Sequence, residues 1–279
     1  MAGSTFQRER PGAAGGPHRS WRSNVRSGLV KLPMNGLLSW LPTLALSPLL
    51  FAQGVYVRRV TPRLPEAPGK RSGVSGGGPA LNLLILGDSA AAGVGASSQA
   101  TALSGRLVEE LMADFEVSWQ LHAESGVTTR DLIARLDGVA GGRFDVAIVS
   151  IGVNDVITGR RTRQWTAALA SLLDLLESGF GVRHILLSAL PPMHRFTALP
   201  QPLRWCVGLR ARRFNDELLR FAGRDGRCAV VSLNYPRDPS YLASDGFHPG
   251  EPAYRHWAAV VAASVRQLPS SEAGEDRLA

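Results

Sequence analysis

Short apolar runs alternate with longer amphipathic stretches between residues 81 and 268. Runs of strand length, several as continuously apolar as strands buried on both faces, occupy 82–86, 117–123, 145–151, 184–190 and 228–233. Stretches with helix-period apolar positions occupy 101–115, 129–136, 163–178, 203–222 and 251–268. Five such repeats predict an α/β domain with a doubly wound, parallel, five-stranded sheet between two layers of helices.

The two ends of the chain lack this alternation. Residues 1–31 are rich in Gly, Ser, Pro and Arg, which predicts a flexible basic arm. Residues 58–80 are dense in Pro and Gly and predict a linker, and the polar residues 269–279 predict a frayed tail. The predicted domain therefore covers residues 81–268.

An apolar segment, residues 32–57, contains no charged residue. Its length suits a membrane-spanning helix, but three prolines interrupt it. Three interpretations remain open: a signal-anchor or membrane-surface segment, a cleaved export signal, and a segment packed on the domain. The segment thus predicts membrane association or export, with the side of the membrane undecided.

The positive charge of the chain lies near its N-terminus. The 279 residues include 31 Lys and Arg against 23 Asp and Glu, but residues 1–80 hold 11 of the basic and 2 of the acidic side chains. Residues 81–279 are therefore close to neutral in net charge. They lack the basic surface that binds a phosphate backbone, so we expect no nucleic-acid partner for the domain. Two cysteines, Cys206 and Cys228, exclude a disulfide-rich scaffold and a four-cysteine metal site, while one bridge remains open.

The chemistry is expected in the loops that follow the strands, because open parallel sheets bind ligands at the carboxyl ends of their strands. The first such loop contains Gly87-Asp88-Ser89, which can present a serine hydroxyl as a nucleophile. Ser89 can equally cap a following helix. The glycine patterns of dinucleotide and phosphate-binding loops are absent from this position.

Two further loops offer hydrogen-bond donors. Gly126 can present a backbone N–H to a substrate oxygen, or can serve only as a turn residue with positive φ. Asn154 can direct its side-chain amide at an oxygen that gains negative charge. Its neighbour Asp155 is expected to cap a helix or shape a turn.

The last loop places Asp245 and His248 three residues apart in a turn bounded by Gly and Pro. A carboxylate at this spacing can hold one imidazole nitrogen and leave the other free to accept a proton. Of the six histidines, His248 alone has such a local carboxylate partner on a loop at this edge.

Together these loops resemble the SGNH/GDSL hydrolase family, on motifs that lie within residues 81–268: Gly87-Asp88-Ser89, Gly152-x-Asn154-Asp155 and Asp245-x-x-His248. Members are esterases, lipases, thioesterases and carbohydrate deacetylases built on a flavodoxin-like sheet. The resemblance implies the same fold and the same class of reaction for this chain.

By this resemblance Ser89 is the nucleophile, His248 the general base and Asp245 its partner. The oxyanion donors are the backbone N–H groups of Ser89 and Gly126 and the side chain of Asn154. The implied reaction is hydrolysis of a carboxylic ester through an acyl-enzyme, with a small ester or acylated molecule as substrate and neither cofactor nor metal.

Two positions depart from the family pattern. Ala90 stands where many members have leucine, and Glu124 lies near the usual place of an asparagine. Alternative functions on the same loops are an acyltransferase, a carbohydrate deacetylase, and a membrane-tethered binding module without catalysis.

The acyl pocket is predicted in the segment after the fourth predicted strand. Residues 191–203 are apolar and bounded by prolines. We expect them to form a pocket wall, with Met193, Phe196 and Leu199 lining it or packing instead on the neighbouring helix.

Overall fold

A computed structural model describes residues 41–139 and 141–269, with the backbone alone for residues 41–45. The chain divides into two compact units, Met1–Leu46 and Ser47–Ala279. Of the first unit only residues 41–46 are described, and they are helical. The predicted basic arm, residues 32–40 of the apolar segment and residues 270–279 of the predicted tail lie outside the described residues.

The described chain contains seven α-helices, six strands and two short 3₁₀ helices, Met193–Arg195 and Pro239–Tyr241. The helices are α1 (Leu41–Val60), α2 (Leu103–Leu111), α3 (Thr129–Leu136), α4 (Val153–Ile157), α5 (Thr162–Phe180), α6 (Leu203–Asp225) and α7 (Glu251–Arg266). The strands are β1 (Ser72–Gly76), β2 (Ala80–Gly87), β3 (Glu116–Ala123), β4 (Val146–Ser150), β5 (His184–Ser188) and β6 (Cys228–Val231). All ten predicted elements are present, with bounds shifted by at most four residues.

The sheet has the strand order β1-β3-β2-β4-β5-β6. Strands β2 to β6 pair in parallel, and without β1 their order is the doubly wound, flavodoxin-like one. The predicted fold is therefore confirmed. The predicted count of five strands is wrong, because β1 adds an antiparallel strand to the edge of the sheet next to β3.

The segment 58–80 that was interpreted as a linker contains the end of α1, residues 58–60, and the whole of β1, residues 72–76, so that interpretation is wrong for these two stretches. The sequence of β1, Ser-Gly-Val-Ser-Gly, has no apolar pattern from which a strand can be recognised. Backbone pairing with β3 over five residues, from Ser72 opposite Gln120 to Gly76 opposite Glu116, holds it in place.

Helices cover both faces of the sheet because successive side chains of each strand point to opposite sides. Leu83 and Ile85 of β2 pack in a core with α2 and α7, whereas Leu84 and Leu86 pack in the other core with α3, α5 and α6. All four leucine and isoleucine side chains are fully buried. This two-sided burial explains the continuous apolar runs of the central strands.

No helix within residues 41–139 and 141–269 combines the length and the apolar character needed to cross a bilayer. The described part of the apolar segment, residues 41–57, forms all of α1 except its last three residues. Cys206 and Cys228 are both half-buried and unpaired, so the bridge left open by the sequence does not form.

Candidate active site

A tight turn after β2 carries Ser89. At Gly87 the backbone runs so close to β4 that a Cβ would lie 2.1 Å from the carbonyl oxygen of Ser150. Asp88 donates its N–H to the same oxygen at 3.1 Å, and its buried carboxylate accepts the N–H of Ala90 at 3.1 Å. These contacts hold the half-buried Ser89 at the carboxyl edge of the sheet.

The alternative role of Ser89 as a helix cap is wrong. The next helix, α2, begins at Leu103 and has Ala102 at its N-cap. Residues 88–96 form successive turns instead, so the Ser89 hydroxyl is not engaged by a helix N-terminus.

Ser89, His248 and Asp245 form a continuous chain of hydrogen bonds. Nε2 of His248 lies 3.0 Å from Oγ of Ser89, and Nδ1 of the same ring lies 2.5 Å from Oδ2 of Asp245. The other oxygen of Asp245 accepts the N–H groups of Phe247 and His248 at 2.9 and 3.0 Å. The carboxylate thus orients the ring so that Nε2 faces the serine, since Nδ1 carries the proton that Asp245 accepts.

The pKa values of two buried carboxyl groups near His248, those of Asp88 and Asp245, are shifted in opposite directions. Burial raises the pKa of Asp88 to about 7, against the lowering effects of the Ala90 N–H and the charge of His248. Burial also acts to raise the pKa of Asp245, but the hydrogen bonds from the side chain and backbone of His248 and from Phe247 outweigh it and hold that pKa below its usual value. Asp245 is therefore ionised and Asp88 is largely protonated at mildly acidic pH.

Gly126 lies on the loop after β3, and Asn154 lies in the first turn of α4, which follows β4; β3 and β4 are the two neighbours of β2 in the sheet. Asn154 donates an amide hydrogen to the carbonyl of Val127 at 2.9 Å, which ties the two loops together. Gly126 has φ +84°, and no atom lies within 4 Å of the place a Cβ would take. The structure therefore places both candidates beside the serine loop, and a positive-φ turn is one reason for glycine at position 126.

A cavity of about 460 Å³ opens beside Ser89 and His248. Its walls come mainly from the segment between β5 and α6 and from the segment between β6 and α7. Apolar side chains dominate the lining, among them Ile151, Val153, Leu190, Phe196, Leu233, Leu242, Phe247 and Trp257.

Phe196 lies in this wall as predicted, with its ring 4.7 Å from that of Phe247. The prediction for Met193 is wrong, because its side chain is fully buried in the core and does not reach the cavity. Leu199 is likewise buried in the core and away from the cavity. An apolar segment of loop cannot show by itself which of its side chains turn inward.

Residues 85–256 match the sequence model of the GDSL-like lipase/acylhydrolase family. The chain belongs to this family. It is accordingly a hydrolase that acts on ester bonds. No curated protein matches the chain in sequence.

Solved structures of low sequence identity share the fold of this GDSL-family chain. A lipolytic protein of the G-D-S-L family from Veillonella parvula is 14% identical, with a TM-score of 0.55 over 68% of this chain and 100% of that one. LAE5, an α/β hydrolase enzyme from the metagenome of Lake Arreo, is 23% identical, with a TM-score of 0.52 over 69% and 98%. Axe2, an acetylxylan esterase from Geobacillus stearothermophilus, is 20% identical, with a TM-score of 0.50 over 67% and 95%.

Asp155, on α4 of this GDSL-family domain, forms hydrogen bonds with the start of α3. The sequence had predicted only a local role for it, as a cap or turn residue. Its buried carboxylate accepts the N–H and the hydroxyl of Thr129, the first residue of α3, at 3.0 and 2.9 Å, in addition to the N-cap of that helix at Thr128. The Thr129 hydroxyl also accepts the indole N–H of Trp165 at 3.1 Å. This network holds the loop of Gly126 against the loop of Asn154.

The second wall of the cavity, between β6 and α7, was not predicted from the sequence. Residues 233–242 contribute Tyr235, Tyr241 and two prolines, Pro236 and Pro239, to the lining. His256 of α7 packs against both tyrosine rings, at 5.6 and 6.1 Å, and its Nε2 lies 2.6 Å from the carbonyl oxygen of Leu233. A concentration of Pro and Tyr between β6 and the Asp245 loop was the available signal.

Proposed function

We propose that the chain is a serine esterase that hydrolyses carboxylic esters through an acyl-enzyme on Ser89. The observation that supports this most directly is the chain of hydrogen bonds from Asp245 through His248 to Ser89 at the mouth of an apolar cavity. A nucleophile, a base and a group that orients the base are the minimum that this chemistry requires.

In the first step Ser89 Oγ attacks the carbonyl carbon of the ester while Nε2 of His248 removes the hydroxyl proton. His248 then donates that proton to the departing alcohol, which leaves the acyl group on Ser89. Asp245 stabilises the imidazolium formed between the two transfers. In the second step water attacks the acyl-enzyme while His248 takes a proton from it. His248 then returns that proton to Ser89 Oγ as the bond between Ser89 and the acyl group breaks and the acid product leaves.

The negative oxygen of each tetrahedral intermediate is stabilised by the backbone N–H groups of Ser89 and Gly126 and by the amide of Asn154. One amide hydrogen of Asn154 is used by Val127, and the second is left for the substrate. That first bond fixes the direction of the amide before substrate binds, which makes such a donor effective.

The cavity supports an ester with an apolar acyl or alcohol group. Its lining is mostly aliphatic and aromatic, and such a surface gains little from a sugar, whose hydroxyls would lose water without partners. The carbohydrate-deacetylase alternative, the reaction named for Axe2, is therefore the weaker one. An acyltransferase uses the same acyl-enzyme and differs only in the acceptor.

The test combines labelling with a fluorophosphonate and hydrolysis of short and long p-nitrophenyl esters by the full chain. We expect wild type and Ser171→Ala, a change at an exposed serine on α5, to be labelled and active. Ser89→Ala should lose the label, and Ser89→Ala and His248→Ala should each lose at least about 10³-fold in kcat/KM.

Equal labelling or equal rates in wild type and the Ser89 variant would refute Ser89 as the nucleophile. No labelling and no hydrolysis above background by wild type would favour a binding module without catalysis. Product analysis with and without added alcohol separates the hydrolase from the transferase. A transferase would form the new ester in preference to the free acid, whereas the proposed esterase releases the acid in both conditions.

A further inference from the structure

Helix α1 exposes large apolar side chains to solvent. Phe51 is 75% exposed, and Leu49, Tyr56 and Val60 are 46%, 60% and 50% exposed. None of residues 47–60 is buried. A helix of this apolar composition ordinarily buries one stripe of side chains in the core of its domain, so the contacts within the described residues leave α1 incompletely covered.

The helix is nevertheless attached at a defined place. The side chain of Gln53 donates to the carbonyl of Gln201 at 2.7 Å and accepts the N–H of Leu203 at 3.1 Å. Trp205, two residues after this attachment, is 50% exposed. The attachment therefore holds α1 on the domain, with exposed apolar side chains on both of its sides: Leu49, Tyr56 and Val60 lie along one side and Phe51 along the other.

We call Leu49, Phe51, Tyr56, Val60 and Trp205 the α1 patch. Nine large apolar side chains are exposed among residues 46–139 and 141–269, and five of the nine belong to this patch. Scattered single exposures are normal in soluble proteins, but a concentration of this kind marks an interaction surface.

The charges near the patch identify the partner. Arg58 and Arg59, in the last turn of α1, are exposed, and neither is in an ion pair with another described residue. The first acidic residue after them is Glu66. Apolar and aromatic side chains flanked by unpaired arginines suit the interface of a bilayer that contains anionic lipids.

We propose that the α1 patch is a docking surface for an anionic lipid bilayer, along which α1 lies without crossing it. A second copy of the chain is a less suitable occupant, because in a two-fold contact the same face of the partner copy offers no acidic side chain to Arg58 and Arg59, since residues 41–65 contain none. The segment between β5 and α6 that holds α1 also supplies Phe196 and Thr197 to the cavity wall. Docking therefore brings that wall towards the lipid surface.

The test is co-sedimentation of the full chain with vesicles of phosphatidylcholine alone or of phosphatidylcholine and phosphatidylglycerol in equal parts. Wild type should bind the anionic vesicles, and the double variant Phe51→Ser, Trp205→Ser should bind roughly tenfold or more weakly. Leu219→Ser is the matched control, since Leu219 is 55% exposed on α6 outside the patch, and it should bind like wild type.

The variant Arg58→Gln, Arg59→Gln should weaken binding to the anionic vesicles only, and added salt should reduce its difference from wild type. All four substituted side chains are exposed, so the thermal midpoints should match wild type. If the Ser variant unfolds early, the arginine variant decides the question.

Three results would overturn the proposal. The first is absence of vesicle binding by wild type, and the second is equal binding by wild type and both variants, which would assign the binding to residues 1–40. The third is a concentration-dependent dimer of wild type that the Ser variant abolishes, which would make a second copy the occupant. None of these readouts depends on ester hydrolysis, so the proposed function can fail or stand independently.

Discussion

Asp88 is the residue whose protonation links the active-site turn to pH. Its carboxyl group is buried beside Ser89 and accepts the N–H of Ala90. Burial raises its pKa to about 7 from an ordinary value of 3.8. Between these two values the native state holds a proton that the unfolded chain has already lost.

This difference predicts how Asp88→Asn changes the pH dependence of stability. The contribution of Asp88 is fully present below pH 3.8 and is lost as pH rises through about 7. The stability of wild type relative to the variant should therefore fall over this range, by up to about 1.4 kcal/mol per pH unit. Urea unfolding of both proteins at closely spaced pH values measures the difference.

Asp137→Asn is the control, because Asp137 is exposed at the end of α3. Its unfolding free energy should run parallel to that of wild type. Parallel curves for wild type and Asp88→Asn would contradict the prediction and would mean that Asp88 keeps an ordinary proton affinity in the native state.

At the scale of elements, the active site depends on the close contact of two loops. A Cβ at Gly95, in the turns after β2, would lie 2.3 Å from the carbonyl oxygen of Pro249 and 2.8 Å from the Cβ of Ala243. Pro249 directly follows His248. The loop that carries the histidine is therefore positioned by the backbone of the loop that carries the serine.

Gly95→Ala should displace the histidine loop and lower kcat/KM for a p-nitrophenyl ester by at least about tenfold, equivalent to about 1.4 kcal/mol. Gly138→Ala is a matched control, because Gly138 also has positive φ, +85° against +96° at Gly95, but has open space around it. The control variant should keep the activity of wild type, and its free energy of unfolding should fall by about 1–2 kcal/mol, the cost of a Cβ at positive φ. Equal loss of activity in both variants would show that backbone strain, and not the loop contact, is responsible.

At the scale of the whole molecule, residues 61–80 are part of the domain. Glu66 accepts the N–H of Ser125 at 2.7 Å, and Arg71 donates to the carbonyl of Ala123 at 2.7 Å. The buried side chain of Gln99 donates to the carbonyl of Ala67 at 3.0 Å. These bonds, with the pairing of β1 and β3, tie the segment to β3, to the loop that follows β3 and to the connection between β2 and α2.

A chain that begins at residue 81 should therefore be less stable than one that begins at residue 61. It loses the three bonds above and the β1 pairing, at about 1 kcal/mol for each hydrogen bond. We expect a difference of roughly 2–5 kcal/mol in the free energy of unfolding, measured by urea denaturation. Equal stability of the two chains would show that the segment rests on the domain without supporting it.

The sequence alone determined the α/β class, the five β–α repeats and the loops that contain Ser89, Asn154 and the Asp245–His248 pair. These features depend on periodicity and on motifs of a few residues, which local sequence specifies. Phe196 as a pocket residue followed from the apolar character of its segment. The same character could not separate it from Met193, because both are apolar and only packing turns one inward.

Tertiary structure decided the rest. Strand β1 exists through backbone pairing with β3, which leaves no apolar pattern in its sequence. Asp155 reaches Thr129 across 26 positions, and His248 reaches Ser89 across 159. Contacts at such separations form only when the whole sheet brings the loops together, because no periodicity within one segment records which distant segment it will meet.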